Sequence, residues 1–138
     1  MIRNFGAGSR MVMGLVLGLL LVAVVASAGT VQTRTKEGLG SYLVDEKGMT
    51  LYMFTKDTPD TSACGAANDC LKKWPLFYMG SGGVVSGVDA SQLGALPRDD
   101  GKDQTTYKGS PLYYFAKDKA PGDTLGQGLN KSWYVVAP

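Results

Sequence analysis

The sequence predicts a small, mainly β domain made of two related antiparallel repeats about a pseudo-twofold, with little helix. Three observations predict it. An eleven-residue stretch occurs twice, as Lys47-Gly48-Met49-Thr50-Leu51-Tyr52-Met53-Phe54-Thr55-Lys56-Asp57 and as Lys108-Gly109-Ser110-Pro111-Leu112-Tyr113-Tyr114-Phe115-Ala116-Lys117-Asp118. The copies lie 61 residues apart and agree at seven of eleven positions, and a Trp follows each, Trp74 and Trp133. Such self-similarity is the mark of a duplicated structural unit. The remaining chain offers short β-rich runs broken by Gly and Pro, the pattern of a sheet or small sandwich.

The chain has 138 residues, of which the first 28 read as a signal sequence. Arg3 and Arg10 form its positive region, Met11 to Val25 its apolar run, and Ala26-Ser27-Ala28 its small-residue cleavage site. Fifteen apolar residues fall short of the ~20 that a membrane-spanning helix needs. Membrane attachment is therefore expected only if this segment stays uncleaved. Residues 29–138 form one domain with repeat halves at about 39–76 and 98–136. Removing Arg3 and Arg10 leaves twelve basic against twelve acidic residues. A domain so balanced has no electrostatic case for nucleic acid or an anionic membrane.

Taken in order, Gly29 to Gly38 is polar and aperiodic and is expected to be a flexible lead-in. Leu39 to Val44 favours a strand, with Tyr42, Leu43 and Val44 at its end. Asp45 to Gly48 is a turn, with Gly48 suited to positive φ. Met49 to Thr55 is expected to return as the hairpin partner, Leu51 and Met53 on one face and Tyr52 and Phe54 on the other. Both faces are apolar, so both should be covered. Lys56 to Ala67 is a loop. Asn68 is suited to cap a short helix over Asp69 to Trp74, which Pro75 ends. Leu76 to Met79 and Val84 to Val88 are short strands, Asp89 to Leu96 is weakly helical with Asp89 as a cap, and Pro97 to Asp103 is a charged turn. In the second half Gln104 to Tyr107, Pro111 to Ala116 and Lys131 to Val136 are strands, and Asp118 to Asn130 is a Gly-rich loop.

Cys64 and Cys70 are the only cysteines. An even count in an exported chain points to a disulfide, with a catalytic dithiol or a metal site as alternatives. Their spacing is not Cys-x-x-Cys, and the chain has no His, the commonest co-ligand for zinc or haem. So short a loop gains only about 2 kcal/mol from closure, which suits pinning a loop.

The motif residues Tyr52-x-Phe54-x-x-Asp57 and Tyr113-x-Phe115-x-x-Asp118 resemble the Y-x-(F/W/Y)-x-x-D motif of a bacterial family of predicted lipoproteins, also described as a secreted repeat of unknown function. The similarity extends through Gly40-x-Tyr42-Leu43-Val44-Asp45, Cys64, Cys70, Trp74-Pro75, Arg98-x-Asp100-Gly101, Pro121-Gly122-Asp123-Thr124 and Trp133. The resemblance implies an exported two-repeat module and supplies no reaction. Many such relatives carry a lipid-acceptor Cys near the cleavage site, and this chain has none.

Tyr52, Phe54, Asp57, Tyr113, Phe115, Asp118, Trp74 and Trp133 are thus the candidate binding residues. Their structural reading is aromatic packing, with each Asp fixing the loop that leaves its strand. Their functional reading is one site in which Asp57 and Asp118 meet across the pseudo-twofold, as a cation site or an acid/base pair. No catalytic residue, metal or cofactor is expected, because no nucleophile with a base partner stands out. The resulting expectation is an exported cell-envelope protein that binds an unknown envelope component or small ligand. A redox-linked or metal-associated accessory protein and a carboxylate-based hydrolase are the alternatives.

Overall fold

A computed structural model describes residues 29–138 and, before them, Gly14 and Gly18 alone; the rest of the expected signal sequence lies outside the described residues. Eight strands and one short α-helix occur in the order β1 (Thr30–Lys36), β2 (Gly40–Asp45), β3 (Tyr52–Phe54), α1 (Cys70–Lys73), β4 (Val84–Val85), β5 (Leu93–Pro97), β6 (Asp103–Tyr107), β7 (Ser110–Pro111) and β8 (Trp133–Val135). They form three small sheets ordered β2-β1-β4, β3-β8 and β5-β6-β7. The fold is mainly β, and its pairings are antiparallel except for the parallel pair β1–β4.

The two repeats meet at one pair of residues. Tyr52 N–H donates to Tyr113 C=O at 2.8 Å, and Tyr113 N–H donates to Tyr52 C=O at 3.0 Å. These are corresponding positions of the duplicated stretch, so their exchange marks the pseudo-twofold. Other bonds repeat about the same point. Leu51 N–H reaches Leu43 C=O where Leu112 N–H reaches Thr105 C=O, each at 3.0 Å. Thr55 N–H reaches Ser132 C=O at 2.8 Å where Ala116 N–H reaches Lys73 C=O at 2.9 Å.

Side-chain alternation then separates two cores. Leu51 and Leu112 point into one with Val31, Leu43, Phe77, Tyr107 and Val136, and Met53 and Tyr114 pack against it. Tyr52, Tyr113 and Phe115 point into the other with Cys64, Trp74 and Trp133, and Phe54 packs there. The expected division of Leu51 and Met53 from Tyr52 and Phe54 holds, and the motif strands are covered on both faces.

Several expectations need correction. Residues 30–36 form a strand that pairs with β2 from Val31 opposite Asp45 to Lys36 opposite Gly40. Pairing with a buried neighbour overrides a polar sequence here. The hairpin from Asp45 is brief: Thr50 bridges Val44, and then Tyr52 to Phe54 leave to pair with β8. Asp89 does cap a helical turn, accepting from Ser91 N–H at 2.9 Å, but that turn is 3-10 and spans Ala90–Gln92. Leu93 to Pro97 then becomes β5, because β6 offers a full antiparallel register to it. The helix after Cys64 is limited to Cys70–Lys73, with left-handed Asp69 at the cap position. Asn68 Oδ1 accepts from Cys70 N–H at 3.2 Å. Leu76 to Met79 does not form a named strand; only Leu76 bridges, to Tyr113.

Gly48 has φ 81°, as the turn after β2 requires. Asp45, buried at the end of β2, closes that turn by accepting from the N–H groups of Lys47 and Met49 at 2.9 Å.

Candidate functional site

Asp57 and Asp118 both follow a turn closed by the main chain: Asp57 N–H bonds Phe54 C=O at 3.0 Å, and Asp118 N–H bonds Phe115 C=O at 3.1 Å. This turn aims each carboxylate back beneath the sheet, where it meets the tyrosine of the other repeat. Tyr113 Oη donates to Asp57 Oδ2 at 2.7 Å, and Tyr52 Oη donates to Asp118 Oδ2 at 2.6 Å. The second oxygen of each Asp holds its own following loop. Asp57 Oδ1 accepts from Ala63 N–H at 2.6 Å, and Asp118 Oδ1 from Leu125 N–H at 3.1 Å. The two halves of the motif are therefore crossed between repeats.

The carboxylates do not share a site. Arg98 is the charged neighbour of Asp57, whereas Asp123 and Lys36 are those of Asp118. Among the described residues no three His, Cys, Asp or Glu side chains cluster as a metal would require.

The remaining motif residues build a stack of four rings. Phe54 lies on Trp133 with centroids 4.2 Å apart, Trp133 on Trp74 at 3.8 Å, and Trp74 on Phe115 at 4.4 Å. Each Trp thus stacks on the Phe of the opposite repeat and on the other Trp. Tyr52 meets Trp74 edge-on at 5.3 Å, and Tyr113 meets Trp133 edge-on at 5.2 Å, the arrangement that ring quadrupoles favour. Phe54 is half-buried and the other five rings are buried.

Sequence reasoning missed the polar neighbours of Tyr113. Ser62 Oγ lies 2.5 Å from the Tyr113 hydroxyl, and since the phenolic proton points at Asp57, Ser62 is the donor. Arg98, nearly buried, donates to Ser62 Oγ at 2.9 Å, Gln104 Oε1 at 2.7 Å, Cys64 C=O at 2.7 Å and Asp100 Oδ2 at 3.1 Å. A third tyrosine–aspartate pair was also missed, Tyr114 Oη to Asp45 Oδ2 at 2.7 Å. The duplicated stretch hides it, because residue 53 in the first copy is Met.

Cys64 and Cys70 are bonded, with Cys64 wholly buried beside the aromatic cluster. Burial shields that sulfur from an attacking thiolate. The bridge ties the Ser62 loop to α1, which carries Lys73 next to Trp74.

A family model described as a secreted repeat of unknown function matches residues 33–77 and again residues 94–137. The chain belongs to this family. Each secreted-repeat match holds one Tyr-x-Phe-x-x-Asp copy and its downstream Trp, so the crossed contacts run between the two matched repeats. Neither a curated protein nor a solved structure matches the chain. Membership makes the protein a secreted one, and among the described residues no helix is long and apolar enough to cross a membrane.

Electrostatics follow from burial. Burial pushes the phenols of Tyr52 and Tyr113 far up, so both stay protonated in the physiological range. Burial also raises Asp57 and Asp118, against the hydrogen bonds that would lower them. A carboxyl with a raised folded pKa stabilises the fold below its unfolded pKa of about 3.9 and loses that contribution as pH rises through the folded value. Relative to Asp118→Asn, which cannot ionise, the wild type should therefore weaken as pH rises out of the acid range. Urea midpoints of both proteins between about pH 3 and pH 7 check this. A difference that stays constant, or that grows in favour of wild type with rising pH, contradicts it.

Proposed function

We propose that the protein is a non-enzymatic interaction module of the bacterial cell envelope, exported and acting in the periplasm or beyond. It is retained at the membrane only if residues 1–28 stay attached. The observation that carries this reading is the crossed Tyr–Asp exchange. It commits both oxygens of Asp57 and of Asp118 to the domain itself, where a hydrolase would need them turned toward a substrate. The serine hydroxyl at this site, Ser62, faces a phenol that burial keeps protonated and that cannot take its proton. The motif is then the frame, and recognition falls to the surface that the frame holds in place.

The test is capture of envelope fractions, glycans and short peptides by the immobilised exported domain, alongside a hydrolase screen. Saturable capture without turnover is the expected result. Hydrolytic turnover abolished by Asp57→Asn or Asp118→Asn, in variants whose circular dichroism is unchanged, overturns the reading.

A further inference from the structure

The four-ring stack ends at Phe115, and there the surface opens into a cavity of about 250 Å3. Trp74, Phe115 and Leu129 are among its lining residues, together with the exposed Lys72, Lys73 and Lys117. In a domain with equal numbers of acids and bases, three lysines about one mouth are a local excess. Lys72 has a carboxylate partner, Asp69 at 3.1 Å, but that pair is highly exposed and weak. The other ion pair among the described residues is Arg98–Asp100, so Lys73 and Lys117 are uncommitted.

Their placement is fixed by the main chain. Lys73 ends α1, and its C=O accepts from Ala116 N–H at 2.9 Å, which sets the Lys73 and Lys117 segments side by side. Asn130, also in the lining, and the following Lys131 both take left-handed backbone conformations, with φ 54° and 55°. Lys131 N–H to Gly128 C=O and Ser132 N–H to Leu129 C=O, both at 3.0 Å, hold that turn and keep Leu129 at the surface, 38 % exposed. Such backbone strain persists only where surrounding structure imposes it.

We propose that this cavity binds a small flat molecule with an apolar ring body and one anionic group, of the aromatic carboxylate class. This rests on the interaction-module reading and names a ligand for it. The ring body suits the apolar lining, above all the exposed Leu129 and the edge of Phe115. The anion stays at the wet rim between Lys73 and Lys117, so it keeps much of its hydration. The volume lies between the roughly 150 Å3 that admits benzene and the roughly 300 Å3 at which drug-sized sites begin, and so suits one or two fused rings. The pseudo-twofold gives an internal contrast. Lys72-Lys73-Trp74 corresponds in sequence to Lys131-Ser132-Trp133, which lacks the second lysine.

The test uses the exported protein, with 2-naphthoate as probe and 2-naphthylmethylammonium as its cationic counterpart, by calorimetry and by the indole N–H signals of Trp74 and Trp133. The expected result is saturable one-to-one binding of the carboxylate, a larger shift of Trp74 than of Trp133, and no saturation by the ammonium. Lys73→Gln/Lys117→Gln should weaken binding about tenfold or more, the loss expected when a carboxylate gives up two charge-assisted bonds. Lys47→Gln/Lys102→Gln, two lysines that do not line the cavity, should leave it unchanged. All four positions are exposed, and matching unfolding midpoints confirm that the variants fold. Equal binding of both probes, or binding indifferent to Lys73 and Lys117, overturns the proposal. No binding of naphthoate together with undiminished capture of envelope material overturns this site and leaves the interaction module standing. Failure of both overturns both.

Discussion

Trp133→Ala should lower the free energy of unfolding by about 3–5 kcal/mol, the range for removing a buried large aromatic. Trp133 is 4 % exposed and lies inside the stack, with Phe54 at 4.2 Å, Trp74 at 3.8 Å and the edge of Tyr113 at 5.2 Å. Truncation removes three ring contacts at once and opens a void whose walls are other rings, held by both repeats. Ring pairs contribute about 0.5–1.5 kcal/mol each beyond area burial, which places the effect toward the upper end. A domain of this size has only about 5–15 kcal/mol in total, so the loss would consume much of its stability. Phe54→Ala should cost less, since that ring is half-buried and ends the stack. Urea unfolding followed by far-ultraviolet circular dichroism measures both. A Trp133→Ala change below about 1 kcal/mol would mean that the stack does not exist in solution.

Tyr113 carries the second large effect, and a pair of substitutions separates its parts. Tyr113→Ala should cost about 3–5 kcal/mol, because the side chain is fully buried. Tyr113→Phe keeps the ring and removes one hydroxyl, leaving Asp57 Oδ2 without its partner and Ser62 Oγ with only Arg98 and Cys64, for about 1–3 kcal/mol. The crossing makes a sharper demand. Tyr113→Phe should couple to Asp57→Asn by about 0.5–3 kcal/mol in a double-mutant cycle, and should add independently to Asp118→Asn. Tyr52→Phe should show the reverse preference. Coupling of Tyr52 to Asp57 instead, within one repeat, would refute the crossed arrangement.

These contacts show how far the sequence could be read. The period-two alternation of Leu51, Tyr52, Met53 and Phe54 assigned each side chain to its core, because alternation is a local property of a strand. Gly48 in its turn and Asp89 at its cap were equally local. The identity of β3's partner was not. Tyr52 lies opposite Val135, more than eighty residues away, and nothing in either segment selects the other. The lead-in strand escaped notice for a related reason: Thr30 to Lys36 carries its β character in its pairing with β2. The duplication did reveal that Tyr52 corresponds to Tyr113 and Asp57 to Asp118. It could not reveal whether each tyrosine serves its own aspartate or the other's, since both arrangements obey the same symmetry. Ser62 and Arg98 lay hidden because only the Tyr113 hydroxyl has them beside it; at the Tyr52 hydroxyl, Gly126 N–H takes the place of Ser62 at 3.2 Å.

The exchanged backbone bonds between Tyr52 and Tyr113 also say what one repeat alone would lack. Cut from its partner, a repeat would carry an unpaired strand segment, a tyrosine without its carboxylate, a carboxylate without its tyrosine, and a Trp with bare faces. Every one of these is answered by a second copy of the same surface. That is the logic of an isologous dimer, in which one patch serves as both partners. The chain is therefore built as a homodimer whose two subunits have been joined end to end. The tether, roughly residues 78–92, turns an encounter between molecules into an event within one, at an effective concentration of about millimolar. It also releases the two halves from having to stay identical. Ser132 opposite Lys73, and Met53 opposite Tyr114, are places where they have since parted.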